Sequence, residues 1–392
     1  MRTGFLALVL ALTAAFPSLC HAAARSFEEI VSEAEAARAA DRLQDAIRLY
    51  RQGVESRPTW QDGWWWLGSL YYEQDRFPET QAAFQHFAAL SSKPGPAYAF
   101  QALAEYETHD YTRALDHFRK WALAGSPGTD DLIDVASFHW ALLLTREGRF
   151  VQALHLLAVK GESRGSSAAL TEAMGLASLR MPYLPEDYPP QSREMVWLGG
   201  MSTYYATVKP HQFDRAQDYA DKLLLHYDQA PNVHYFRGTQ FDMQMKPEAA
   251  KEEYLKELRV SPRHAPALME LASIAFQEGH RDEAVSLARR AAEFDPRSPV
   301  AHHVLGQALL ADGQVTESAG ELEIARQLAP DDPSIHYRLA TVYRKLGRIQ
   351  DAEHEMTVYS ALAAKDKENW DILLPGQGLA EILHEPEPGR KK

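Results

Sequence analysis

The residue types that could do chemistry are few and scattered. Gly161-Glu162-Ser163-Arg164-Gly165 fits the G-x-S-x-G pattern of serine hydrolases, in which a strand-to-helix elbow lifts the serine above a sheet. Here the pentapeptide follows the helical run Phe150 to Val159. It reads as a turn between helices, and hydrolysis through Ser163 is the enzymatic alternative. Histidines raise a metal site: His302 and His336 are 34 residues apart, and His234 precedes His302 by twice that interval. Geometry opposes shared ligation, because equivalent positions on neighbouring helical units stand ~10 Å apart, whereas zinc ligands bind at ~2 Å. These histidines read as packing residues. The sequence holds no G-x-x-x-x-G-K-[ST], no dinucleotide fingerprint and no H-E-x-x-H. No catalytic residue, metal or cofactor is expected.

The frame that must position these residues repeats. Pro262, Pro296 and Pro330 lie 34 residues apart, and Gly279, Gly313 and Gly347 keep the same spacing. A unit of that length is one helix–turn–helix, which cannot bury its apolar face alone and must stack on its neighbours. The clearest unit is 265–298: Ala272, Ala284, Ala288 and Ala291 allow close helix contact, Gly279 makes the turn and Pro296 ends the second helix. Small residues are needed there because packed helix axes lie only ~8–10 Å apart. The frame also fits 61–94 through Trp64, Leu67, Gly68, Tyr71 and Phe84, and 333–366 through Leu339, Ala340, Tyr343, Gly347 and Ala352. It fits 231–264 through Gly238, Phe241, Ala250, Tyr254 and Pro262, and 27–60 through Ala34, Ala46, Tyr50 and Pro58. Unit 299–332 keeps Gly306, Gly313, Ala325 and Pro330 but has Ser318 where alanine is usual, and weaker units lie near 95–128 and 134–165.

This pattern resembles the tetratricopeptide repeat family, whose frame carries a large residue at position 4, small ones at 8 and 20, aromatic or apolar ones at 11 and 24, and proline at 32. The resemblance implies an all-α, right-handed superhelical solenoid of helix–turn–helix repeats. It also implies a non-catalytic scaffold that holds a protein or peptide partner in its concave groove, lined in the family by positions 2, 5, 9 and 12 of each first helix. Carried over, those positions give Trp65, Ser69 and Tyr72 in 61–94, and Asn232, Tyr235, Thr239 and Asp242 in 231–264. They give Met269, Ser273 and Phe276 in 265–298, His303, Gln307 and Leu310 in 299–332, and Ser334, Tyr337, Thr341 and Arg344 in 333–366. Rigid aromatic and methionine side chains among small polar ones suit a peptide groove, because rings give contact area at low entropic cost. The family's carboxylate clamp needs several Lys, Arg and Asn, and only Asn232 and Arg344 are present, so a C-terminal carboxylate is not the expected ligand. Aromatic grooves also stack on sugar rings, which leaves a component of envelope or exopolysaccharide export machinery as the second reading, and self-association as a further one.

The first 22 residues carry Arg2, an apolar run from Phe5 to Phe16, Pro17, and small residues around Cys20 and Ala22, the pattern of a cleaved secretory signal. The expected location is therefore periplasmic or secreted. The run is shorter than the ~20 residues of a membrane-spanning helix, and no later segment is longer and as apolar. Cys20 is the only cysteine. Leu19 before it and Pro17 fit a lipobox poorly, so lipoprotein anchoring is the weaker expectation and no disulfide is expected. The net charge of −13, with the basic cluster Arg390-Lys391-Lys392 confined to the end, argues against a nucleic-acid partner. Between 166 and 230 the frame slips. Helices are expected at Ser167–Leu179 and Phe213–Tyr227, and Pro182, Pro185, Pro189 and Pro190 mark a linker at 181–192, because proline removes backbone donors and clashes inside a helix. The expected organisation is an array at 27–165, divergent helices at 166–230, a second array at 231–366, and a capping segment with a disordered tail at 367–392.

Overall fold

A computed structural model describes residues 25–373, with side chains to residue 364. The expected signal, Cys20, and the tail beyond Leu373 lie outside the described residues. The chain divides into two compact units, one ending at Ser92 and the other beginning at Lys93. Among the described residues every regular element is helical, and no helix is long and apolar enough to cross a membrane.

The first unit is two helical hairpins: α1 (Phe27–Ala39) with α2 (Leu43–Ser56), and α3 (Gln61–Glu73) with α4 (Phe77–Leu90). The second unit opens with the hairpins α5 (Gly95–Glu107) with α6 (Tyr111–Leu123), and α7 (Asp130–Arg146) with α8 (Phe150–Arg164). It continues through α9 (Ala168–Ser178), α10 (Arg193–Thr207) and α11 (Phe213–Tyr227). Four hairpins complete it: α12 (Val233–Met243) with α13 (Pro247–Val260), α14 (Ala265–Gln277) with α15 (Arg281–Phe294), α16 (Pro299–Ala311) with α17 (Val315–Leu328), and α18 (Pro333–Lys345) with α19 (Ile349–Leu373). The last helix runs unbroken through the start of the expected capping segment. Within each unit, successive hairpins pack on one another, which makes the chain an all-α solenoid.

The turns explain the period. Gly279, Gly313 and Gly347 have φ of 83°, 85° and 74°, the left-handed region that glycine enters without a Cβ penalty. Asp41, Asp75, His109 and Met245 hold the same conformation, at φ of 55°, 54°, 58° and 57°. In each case the next residue's N–H reaches back to the helix, as in Arg76 N to the Tyr71 carbonyl at 2.9 Å and Lys246 N to the Phe241 carbonyl at 2.9 Å. That long bond and the left-handed residue before it form a Schellman cap. Second helices then begin one residue later, with proline in the first turn at Pro247, and first helices do so at Pro299 and Pro333, where a missing N–H removes no helical bond.

Packing within a hairpin is set by a trade in size. A Cβ on Gly238 would stand 2.4 Å from Tyr254 Cε1, and one on Gly306 would stand 2.6 Å from Leu322 Cγ. Where the first helix carries Ala272, the facing residue shrinks to Ala288, and both are at most 1% exposed. The closest approach of all joins α9 and α10, where a Cβ on Gly175 or Gly200 would come within 1.9 Å of the backbone oxygens of Val196 and Thr171. The segment between them, with the proline cluster, is folded: Leu184 is fully buried, Tyr188 is 7% exposed, and the Tyr188 hydroxyl donates to Glu172 at 2.6 Å. Those fourteen-odd residues of turn between two helices stretch the spacing, which is why the 34-residue register fails there.

Candidate functional site

Each of the three periodic histidines pairs with a carboxylate. His234, His302 and His336 each place Nδ1 against a glutamate 19 residues on, in the second helix of the same hairpin: Glu253 at 2.7 Å, Glu321 at 2.7 Å and Glu355 at 2.5 Å. In the last two the other ring nitrogen lies 3.2 and 2.9 Å from the carbonyl oxygens of Pro296 and Pro330. Those prolines occupy position 32 of the preceding unit, so one ring ties together two helices and the preceding turn. Lys256 and Arg326 add a cation to Glu253 and Glu355 at 2.7 and 2.6 Å. Hairpin α14–α15 carries Leu268 and Leu287 at the corresponding positions, packed in an apolar cluster. The polar pair and the apolar pair are two solutions to filling one site.

Ser163 lies in the last turn of α8, and its hydroxyl donates to the Lys160 carbonyl at 3.0 Å. That is a helix residue turned back on its own backbone, not an exposed elbow above a sheet.

The groove candidates separate by exposure. In the first unit, Trp65 lies edge-on to Phe84 at 5.3 Å and against Phe87 at 5.1 Å, and Tyr72 meets Phe77 at 6.0 Å. Both are half-buried contacts between α3 and α4. In the second unit, Tyr235 is 8% exposed, wedged against Tyr254 at 5.6 Å and His264 at 4.9 Å. Its hydroxyl donates to Glu270 at 3.4 Å, and the Arg180 guanidinium stands 5.4 Å from its ring. Asn232 is the left-handed cap of α12, at φ 71°. Its backbone N–H donates to Glu257 at 2.9 Å, and its side-chain oxygen lies 2.8 Å from His264 Nε2. Asp242 accepts from the Tyr254 hydroxyl.

Burial governs titration in this cluster. Burial, and then the charge of Asp242, pushes the Glu270 carboxyl up to about 7. Burial likewise raises Asp242 and lowers His264 to about 4. Charged forms are disfavoured where water is excluded, and these groups knit α12, α13 and α14 together.

Other candidates remain accessible. Phe276 and Tyr337 are 44% and 45% exposed, Arg344 is exposed, and His303, Met269, Thr239 and Thr341 are half-buried. Tyr337 packs on Tyr359 at 5.5 Å. With its amide oxygen turned toward Arg338, Gln307 accepts from the guanidinium at 2.8 and 2.9 Å. Arg338, half-buried, stands one residue off the carried-over positions. The glutamate partners were missed, although their constant 19-residue offset from the histidines was a readable signal.

Family profiles described as tetratricopeptide repeat match residues 31–95 and 244–299, and another of the same description matches 309–375. The chain is a tetratricopeptide repeat protein. Among curated proteins it is similar to bacteriophage adsorption protein A of Escherichia coli (strain K12), 30% identical over 130 residues. It is also similar to E3 SUMO-protein ligase RanBP2 of Homo sapiens, 23% identical over 166 residues. These matches take in 33% and 42% of this chain but only 13% and 5% of those much longer proteins. Solved structures with the same kind of repeat include YrrB, titled a TPR protein with an unusual peptide-binding site, at 17% identity, with 48% of this chain and 89% of that one covered and a TM-score of 0.36. The Cut9–Hcn1 hetero-tetramer of the APC/C matches at 14% identity, with 90% and 83% covered and a TM-score of 0.35.

Proposed function

We infer that this protein is a non-catalytic scaffold that binds a protein or peptide partner through the inner positions of its first helices, and that it works outside the cytoplasm. One observation carries the binding reading. The hairpins spend their other first-helix positions on packing, as with His302, Leu305 and Gly306 in α16, yet Phe276 and Tyr337 at inner positions stay nearly half exposed, with Arg344 exposed on the same helix as Tyr337. Large rings left nearly half exposed at inner positions of two different hairpins supply the anchors that interfaces use. Location rests on the leader-like first 22 residues, and an uncleaved protein recovered from the cytoplasm would end that reading.

The test uses the full chain as bait against an extract of its own cell envelope, with Phe276→Ala, Tyr337→Ala as the control. Tyr235→Ala is unsuitable, since it would open the core. A protein retained by the wild type and lost by the variant supports the groove reading and names the partner. Equal retention by both refutes it, and retained polysaccharide moves the assignment to export machinery.

A further inference from the structure

Helices α6, α7 and α8 carry none of the groove candidates, yet they border a cleft of about 440 Å3, a size within the ~300–1,000 Å3 of small-ligand sites. Trp121, 1% exposed, lies beneath it with its indole N–H satisfied by the Pro127 carbonyl at 3.0 Å. Trp140 forms a wall. Its ring runs nearly parallel to Phe118, 6.3 Å away and 17° inclined, so the indole is held flat against the core.

The remaining lining is polar and balanced. Lys160 donates to Asp134 at 2.6 Å, with both side chains less than a fifth exposed. Arg164 pairs with Asp131 at 2.6 Å and stands 3.7 Å from Asp134. Ser126, in a left-handed turn at φ 48°, has a buried hydroxyl oxygen with no hydrogen-bond partner. Ser137 and Ser163 add two more hydroxyls.

Those features restrict the ligand. An anion would face Asp130 and Asp134, and a cation would face Lys160 and Arg164, so the balanced lining favours no ion. A wholly apolar guest would strip water from a charged pair and from Ser137 and Ser163, at a cost of ~1–3 kcal/mol for each group left unpaired. A peptide would bring backbone groups that need partners, and the main chains of α6–α8 are consumed by their own helices. What fits is an uncharged molecule with one apolar face and many hydroxyls. We propose that this cleft binds a neutral oligosaccharide, with a sugar ring laid on Trp140, hydroxyls bridging the Asp134–Lys160 pair, and one hydroxyl meeting Ser126. The site is independent of the partner groove, and the G-x-S-x-G segment serves as part of its rim.

The experiment titrates the full chain with cellohexaose, maltohexaose and chitohexaose, followed by calorimetry and tryptophan fluorescence. At least one should bind with a Kd of about 1 mM or tighter. Trp140→Ala should weaken that binding about tenfold, equivalent to ~1.4 kcal/mol. Because Trp140→Ala also removes a ring from the core, Asp130→Ala at the rim is the second variant, expected to weaken binding a few-fold with an unchanged melting curve. Phe276→Ala, Tyr337→Ala should leave sugar binding intact, which separates this site from the groove. The proposal is overturned if no probe binds by about 10 mM, if binding survives both cleft variants unchanged, or if hexagalacturonate or hexalysine binds there more tightly than every neutral probe.

Discussion

Exchanging the His302–Glu321 pair for two leucines tests whether the polar pair is a self-contained alternative to an apolar one. In α16–α17 the ring bridges Glu321 at 2.7 Å and the Pro296 carbonyl at 3.2 Å, with the histidine side chain 10% and the glutamate side chain 23% exposed. His302→Leu strands both acceptors. A lost bond to a charged group costs ~1.5–3 kcal/mol, and some return comes from leucine burial, so a net loss of about 2 kcal/mol is expected. Glu321→Leu strands one ring nitrogen and should cost about 1–2 kcal/mol. The double variant recreates Leu268–Leu287 of the preceding hairpin, which packs without polar atoms, so its cost should be under about 1 kcal/mol, as when both members of a polar pair are replaced by apolar groups together. The coupling energy is then about 2–3 kcal/mol, at the upper end of the range for residues in contact. Urea titration followed by circular dichroism measures the three variants. Hydrogen exchange of the α16 and α17 amides localises the effect, because repeat arrays need not unfold as one. If the two single costs add to the double within about 0.5 kcal/mol, the pair is not a unit and the reasoning fails.

Three further outcomes follow from the packing. Met245 is 86% exposed at φ 57°, so Met245→Gly should raise stability by about 1 kcal/mol by relieving left-handed strain, and a lower melting temperature would contradict that. Gly238→Ala drives a Cβ to 2.4 Å from Tyr254 and should cost about 1–3 kcal/mol, whereas Gly320→Ala, with nothing within 4 Å, should be neutral or stabilising. Glu270 has its carboxyl raised from 4.5 to about 7, so the stability it contributes is complete below about pH 4.5 and is lost as pH rises through 7. Glu270→Gln should accordingly stabilise the protein by up to about 3 kcal/mol at pH 8 and have little effect near pH 4, and a variant whose gain did not grow with pH would show that the carboxyl is not desolvated.

Helices and their pairing were legible because the size trade at a hairpin crossing is written in residue types: Gly238 with Tyr254 and Ala272 with Ala288 stand at one fixed offset. The turns were only half legible. Gly279, Gly313 and Gly347 announce a left-handed residue, but Asp41, Asp75, His109 and Met245 adopt that conformation because the Schellman bond and the docked second helix hold them there, which no local preference of methionine would suggest. The packing role of the histidines was legible from their place in the frame, while their glutamates went unseen because one-residue reasoning does not look across a hairpin. At the groove, Tyr235 and Tyr337 share one frame position and the same residue type, yet one is 8% and the other 45% exposed. The difference lies in what packs on each ring, Glu270 and His264 of the next hairpin on Tyr235 and Tyr359 of its own hairpin on Tyr337, and a repeat frame is blind to that.

The crossing residues also bear on how such a chain can be rearranged by recombination. A breakpoint between hairpins carries each glycine along with the ring that fills its space. A breakpoint inside a hairpin would join α14, with Ala272, to α13, where the Tyr254 ring already leaves a Cβ on Gly238 only 2.4 Å, or would join α16, with Gly306, to α15, where only Ala288 faces it. The first chimera collides and the second holds a void, with penalties of ~1–3 and ~2–5 kcal/mol. Whole hairpins are therefore the interchangeable cassettes of this protein, and half-hairpins are not.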